Sequence, residues 1–170
     1  NMNVIIIPPH KFEEFDSHGN KLKIIVPTSL SNNQFGIYEI EMEPGARGPK
    51  LHYHKEMSET FIVIEGTVTV ITANGESKAK TGTLIHIPKF AAHGYNNDSD
   101  EKVKMTLIFT PGQNREGFFR KLYKMLDENP TELISFHKLY LENDSYPLDE
   151  SDMIPLKPNI NNITIRSKNK

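Results

Sequence analysis

His52-Tyr53-His54-Lys55-Glu56-Met57-Ser58-Glu59-Thr60-Phe61-Ile62-Val63-Ile64-Glu65-Gly66 is the stretch that decides the fold of this chain. Two histidines one residue apart project from the same face of an extended strand, because side chains alternate with a period of two. The four residues from Lys55 to Ser58 allow a tight reversal, so that Glu59 opens a second strand running to Glu65 and faces back toward both imidazoles. A third histidine, His93, stands near the end of a later strand and completes a set of four nitrogen and oxygen donors. That set suits one divalent transition ion.

A histidine is more often a hydrogen-bonded core or surface residue than a ligand, and His52-x-His54 alone would be a weak signal. The turn residues around it strengthen the reading. They give Gly45…His52-x-His54-x4-Glu59-x6-Gly66 and Gly82-x5-Pro88-x4-His93-x3-Asn97, with fifteen residues between the two. Together these segments resemble the two signature motifs of the cupin superfamily. The resemblance implies an all-β fold, a double-stranded β-helix or jelly-roll barrel, with His52, His54, Glu59 and His93 as metal ligands. It also implies a homodimer. Two positions depart from the family pattern. Six residues rather than five separate Gly45 from His52, which loosens the entry turn, and Phe90 stands where the family has a glycine. A bulky residue accepts positive φ poorly, so a different turn is expected there.

Strand signals run through the first two thirds of the chain: Asn3 to Ile7, Leu22 to Val26, Phe35 to Glu43, Thr60 to Glu65, Thr67 to Ala73, Thr83 to Ile87 and Lys104 to Phe109. Asn74-Gly75 marks a hairpin with a type I′ turn. After Pro111-Gly112, Phe118, Phe119, Leu122, Tyr123 and Leu126 recur at helical spacing and predict an amphipathic helix over 115–126. Asn129-Pro130-Thr131-Glu132 reads as a capping box opening a second helix to about Leu141, with Leu133, Phe136 and Tyr140 on its apolar face. Both aromatic stripes read as packing surfaces. The expected organisation is one domain, with a barrel over 2–112, a helical extension over 113–142 and a mobile or loosely docked polar tail over 143–170. Phe109-Thr110-Pro111-Gly112 leading into Gly117-Phe118-Phe119-Arg120-Lys121 resembles small single-barrel cupins described as quercetin-dioxygenase-like.

The 170 residues suffice for one real core, and 36% hydrophobic with 25% charged residues is an ordinary globular composition. A net charge of −2 supplies no basic field for nucleic acid or an anionic membrane. With no cysteine, neither disulfides nor thiolate ligands are available. The apolar run Val4 to Ile7 is too short for a signal or membrane segment, so cytoplasmic residence is the expectation. Asn1 ahead of Met2 is read as an expression remnant. Val4 to Ile7 is also suited to adding onto a neighbouring sheet in a dimer.

Three neutral imidazoles and one carboxylate leave a divalent ion near +1 with two adjacent open positions in an octahedral shell. Iron, manganese, nickel, cobalt, copper and zinc all suit such donors. The expected function is a metal-dependent dioxygenase acting on a small enolic or aromatic substrate. Glu59 is a ligand and, by resemblance to flavonol-cleaving cupins, also a base. The alternatives are a non-catalytic small-molecule binding or sensing module and a metal-dependent sugar or keto-acid isomerase; the isomerase calls for more cationic groups in the barrel than the sequence visibly places there. Tyr38, Phe61, Tyr95 and His86 are candidate pocket residues, since Phe61 shares parity with Glu59 and Tyr95 with His93. No phosphate-binding loop or nucleophile elbow is present.

Overall fold

A computed structural model of the chain describes residues 2–128 and 132–148. In chain order its strands are β1 (Glu13–Ser17), β2 (Asn20–Val26), β3 (Gly36–Met42), β4 (His52–Tyr53), β5 (Ser58–Glu65) and β6 (Thr67–Thr72). They continue as β7 (Gly75–Lys80), β8 (Leu84–Ile87), β9 (His93–Asn96) and β10 (Val103–Thr110). Two helices, α1 (Arg115–Glu128) and α2 (Leu133–Glu142), precede a last short strand, β11 (Tyr146–Pro147). The strands form two antiparallel sheets, ordered β1-β2-β3-β10-β5-β8 and β11-β4-β9-β6-β7, in a jelly-roll sandwich.

Alternation builds the core. Tyr38, Ile40 and Met42 on β3, Phe61 and Val63 on β5, and Met105, Leu107 and Phe109 on β10 are buried, while their neighbours in sequence face outward. Each such side chain contributes roughly 1.5–3 kcal/mol on burial. Phe118, Phe119, Tyr123 and Leu126 of α1 join the same core, and Tyr123 meets Phe15 of β1 with ring centroids 5.7 Å apart. Asn97 ties the sheets' ends together: its buried amide donates to the carbonyls of Met42, Glu43 and Glu101.

Several expectations need correction. Asn3 to Ile7 is not a strand. Pro8 and Pro9 remove two backbone donors just beyond it and the chain turns at Pro9–Lys11, leaving Val4 and Ile6 each 87% exposed. The hairpin at Asn74-Gly75 forms, but positive φ falls on Gly75 alone, at 113°, so the turn is not type I′. Phe90 does adopt the left-handed conformation, with φ of 70°, and keeps the turn expected of a glycine; its N–H donates to the His54 carbonyl. Its ring can tolerate this because it lies outside the barrel, 65% exposed and stacked on Tyr53. Glu132 is the extended N-cap of α2, without a side-chain cap bond, and not a first-turn residue; Asn129-Pro130-Thr131 of the expected capping box lies outside the described residues. The polar segment after Glu142 is docked through Pro147: Asp144 and Ser145 are buried, and β11 pairs with β4. The remainder of the expected tail, 149–170, lies outside the described residues.

Candidate metal centre

The local fold brings the four expected donors together. His52 on β4 lies directly across from His93 on β9, and Glu59 is the first inward residue of β5, opposite Phe109 and Ile87. Tyr53 points out of the barrel and stacks on Tyr146 at 5.4 Å, so His54 returns to the inner face beside His52, as strand alternation requires. One donor atom from each of His52, His54, Glu59 and His93 lies within 4.8 Å of the others. Glu59 Oε2 is 2.8 Å from His93 Nε2 and 3.2 Å from His54 Nε2.

The outer nitrogens show that the cluster fits a cation. Each Nδ1 faces a backbone carbonyl: His52 toward Lys50 at 2.7 Å, His54 toward Asp144 at 2.6 Å and His93 toward Ala91 at 2.9 Å. A carbonyl only accepts, so Nδ1 carries the hydrogen and each neutral ring turns a bare Nε2 inward. Bare nitrogens and a carboxylate oxygen at such separations repel unless a proton or a cation lies among them. Burial disfavours the proton. It holds His54 below its ordinary value despite the opposing pull of Glu59, and together with the neighbouring His93 and His54 it holds His52 well below. Burial alone would raise the Glu59 carboxyl, the adjacent His54 and His93 pull it down, and the net shift is downward.

Two residues that sequence reasoning missed complete the surroundings. Asp144, with φ of 54°, accepts hydrogen bonds from the backbone N–H groups of Lys55, Glu56 and Met57, at 2.8, 3.0 and 3.1 Å. It clamps the reversal between His54 and Glu59 while its own carbonyl orients His54. Arg115, the first residue of α1, is only 4% exposed. Its guanidinium lies 3.8 Å from the centre of the Phe118 ring and donates to the Asn143 carbonyl and the Ser145 hydroxyl. Burial lowers its pKa to about 10, against the pull of Glu59, so it is cationic at neutral pH.

A cavity of about 100 Å³ opens beside the cluster, lined by His52, Glu59, Tyr95, Arg115, Phe118 and Tyr140 among others. Of the four expected pocket residues, only Tyr95 borders it. Phe61 lies behind, packed edge-on against His93 and Tyr95. Tyr38 is fully buried in the core and donates its hydroxyl to Glu116 at 2.9 Å. His86 pairs with Thr60, an outward position of β5, and its ring meets the Thr60 hydroxyl on the exposed face. It is not a pocket residue. The aromatic face of α1 packs as expected, but Phe118, Phe119 and Tyr123 also border the cavity.

The fold is an antiparallel jelly roll in which three histidines and a glutamate converge on one point and could hold one metal ion. Residues 38–109 match the family model described as Cupin domain. Over 106 residues, 61% of this chain, it is 33% identical to quercetin 2,3-dioxygenase of Bacillus subtilis (strain 168) but covers only 30% of that protein. A sugar phosphate isomerase of the cupin superfamily from Silicibacter pomeroyi superposes with a TM-score of 0.55 at 20% identity, over 64% of this chain and 77% of that one. KdgF from Halomonas sp. superposes with a TM-score of 0.58 at 16% identity, over 67% of this chain and 99% of that one. At these identities the structural likeness is one of fold. Among the described residues, no helix is long and apolar enough to cross a membrane.

Proposed function

We propose that the protein is a metal-dependent dioxygenase acting on a small enolisable substrate, with one divalent transition ion held by His52, His54, Glu59 and His93. The observation that carries the reading is the inward convergence of three bare imidazole nitrogens on a buried carboxylate, within 4.8 Å of one another. When bound, a redox-capable ion with open positions supplies Lewis-acid polarisation of substrate oxygens and electron transfer to dioxygen. The protein's own residues do the rest. The carbonyls of Lys50, Ala91 and Asp144 lock the imidazole orientations, Glu59 balances charge, and the aromatic face of α1 supplies apolar walls to the cavity.

Sites for drug-sized ligands span ~300–1,000 Å³, so a cavity of about 100 Å³ favours a small β-dicarbonyl over a multi-ring flavonol. The likeness to the Bacillus dioxygenase supports the reaction type. A second reading, metal-dependent isomerisation of a small sugar or keto acid, gains support from the cations bordering the cavity, Arg47, Lys50 and Arg115. A non-catalytic binding module is the third. Reconstitution with iron, manganese, nickel, cobalt or copper, followed by oxygen-electrode measurements with pentane-2,4-dione and related small enols, separates them. The proposal expects oxygen uptake that Glu59→Ala abolishes. Stabilisation by the same compounds without turnover would favour the binding module. A cytoplasmic homodimer belongs to the same proposal.

A further inference from the structure

Arg115 is a buried cation without an anion. Among the described residues no carboxylate lies within ion-pair distance of it, although Glu116 is its neighbour in sequence and Asp144 lies next to both of its hydrogen-bond partners, Asn143 and Ser145. The Glu116 carboxylate is committed to the Thr28 N–H and hydroxyl and to the Tyr38 hydroxyl. That of Asp144 is committed to the 55–57 backbone. A guanidinium offers five N–H donors. Two are engaged, and Nε is buried with no hydrogen-bond partner. The ring faces of Phe118, Phe109 and Phe119, at 3.8, 5.1 and 5.6 Å, hold the group but satisfy none of these donors. A buried charge in this state is costly unless something pairs with it. Arg115 borders the same cavity as His52 and Glu59.

We infer that Arg115 is a specificity-determining residue that seats the carboxylate of an anionic substrate, so that the protein prefers small enolisable acids to neutral diketones. The inference rests on the proposed metal site, whose His52 and Glu59 line the same cavity. Planar, bidentate carboxylate recognition is what an arginine held by stacking supplies and a lysine would not. With the carboxylate on Arg115, a dicarbonyl head a few bonds away faces His52 and Glu59. Anchoring that end pre-orients the head.

The test compares 2,4-dioxopentanoate, a β-dicarbonyl acid, with the neutral pentane-2,4-dione, by calorimetric titration of metal-loaded protein. A charge-assisted hydrogen bond of ~1.5–3 kcal/mol corresponds to a preference for the acid of ~10- to 150-fold. Arg115→Met is expected to erase that preference, lowering affinity for the acid far more than affinity for pentane-2,4-dione. Because Arg115 also holds Asn143 and Ser145, Arg115→Lys provides a better-tolerated variant; it keeps the charge, loses the fork, and should lose most of the preference. A metal-independent measurement follows the Arg115 Nε–H resonance in chelator-treated wild-type protein, which should shift on addition of 2,4-dioxopentanoate and not of pentane-2,4-dione. Equal affinity of wild type for the two compounds, an undiminished preference in both variants, or an unmoved Nε–H signal would overturn the inference. Absence of metal in wild type with a responsive Nε–H signal would instead remove the metal-site reading and leave the anion site standing.

Discussion

Replacing Asp144 removes the clamp on the loop that joins His54 to Glu59. Of the three N–H groups it accepts, those of Lys55 and Glu56 belong to exposed residues and can turn to water, whereas Met57 is fully buried. Stranding a buried donor costs about 1–3 kcal/mol, and exchanging two charge-assisted bonds for water adds ~1 kcal/mol. The expected destabilisation is therefore about 2–4 kcal/mol. Asp144 also sits at φ of 54°, so alanine would add strain unrelated to the clamp. Asp144→Gly removes the carboxylate without that strain, and Asp144→Asn keeps one acceptor oxygen and should cost about half as much. The assay is urea unfolding of metal-free protein with linear extrapolation, alongside metal competition with a fluorescent chelator. If ordering the loop takes ~2 kcal/mol from metal binding, affinity falls ~30-fold. Asp144→Gly within ~0.5 kcal/mol of wild type, with unchanged metal affinity, would refute the clamp.

Two further outcomes are expected. His52 and His54 bind protons less readily in the folded metal-free protein than in the unfolded chain, where histidine titrates near ~6.5. Their contribution is thus complete above that pH and is lost as pH falls below it, with Glu59 extending the loss through the carboxylate range. The urea midpoint of metal-free protein should decline from pH 7 to pH 5; a flat or rising profile would contradict this. Light scattering should give about twice 19.4 kDa, with the mass halved when residues 2–7 are removed, since the apolar run Val4 to Ile7 finds no strand to pair with among the described residues of its own chain. A monomer at micromolar concentration would contradict that arrangement.

The donor set was legible because its spacing is local. His52, His54 and Glu59 follow from strand alternation and one short turn, and His93 from the glycine and proline punctuation that sets the strand pairing β4–β9. Asp144 and Arg115 were not legible in the same way. Asp144 acts on a loop 87 to 89 residues earlier in the chain, and no periodicity links the two. The orphaned charge of Arg115 appears only once the fold shows which carboxylates are already engaged. His86 misled because its strand is apolar on both parities: Leu84 faces outward at 63% exposure, so alternation gave no direction until the pairing of His86 with Thr60 supplied one. Phe90 misled for the opposite reason. Its side chain sits in solvent, where the ~1–2 kcal/mol penalty of the left-handed conformation is the main cost to the fold.

The central claim is that His52, His54, Glu59 and His93 hold one transition ion. Elemental analysis of protein purified without chelator, beside a His52→Ala/His93→Ala double variant matched for folding by circular dichroism, tests it directly. The account predicts up to one divalent transition ion per chain in the wild type and a near-complete loss in the double variant. Equal metal content in the two proteins would contradict it.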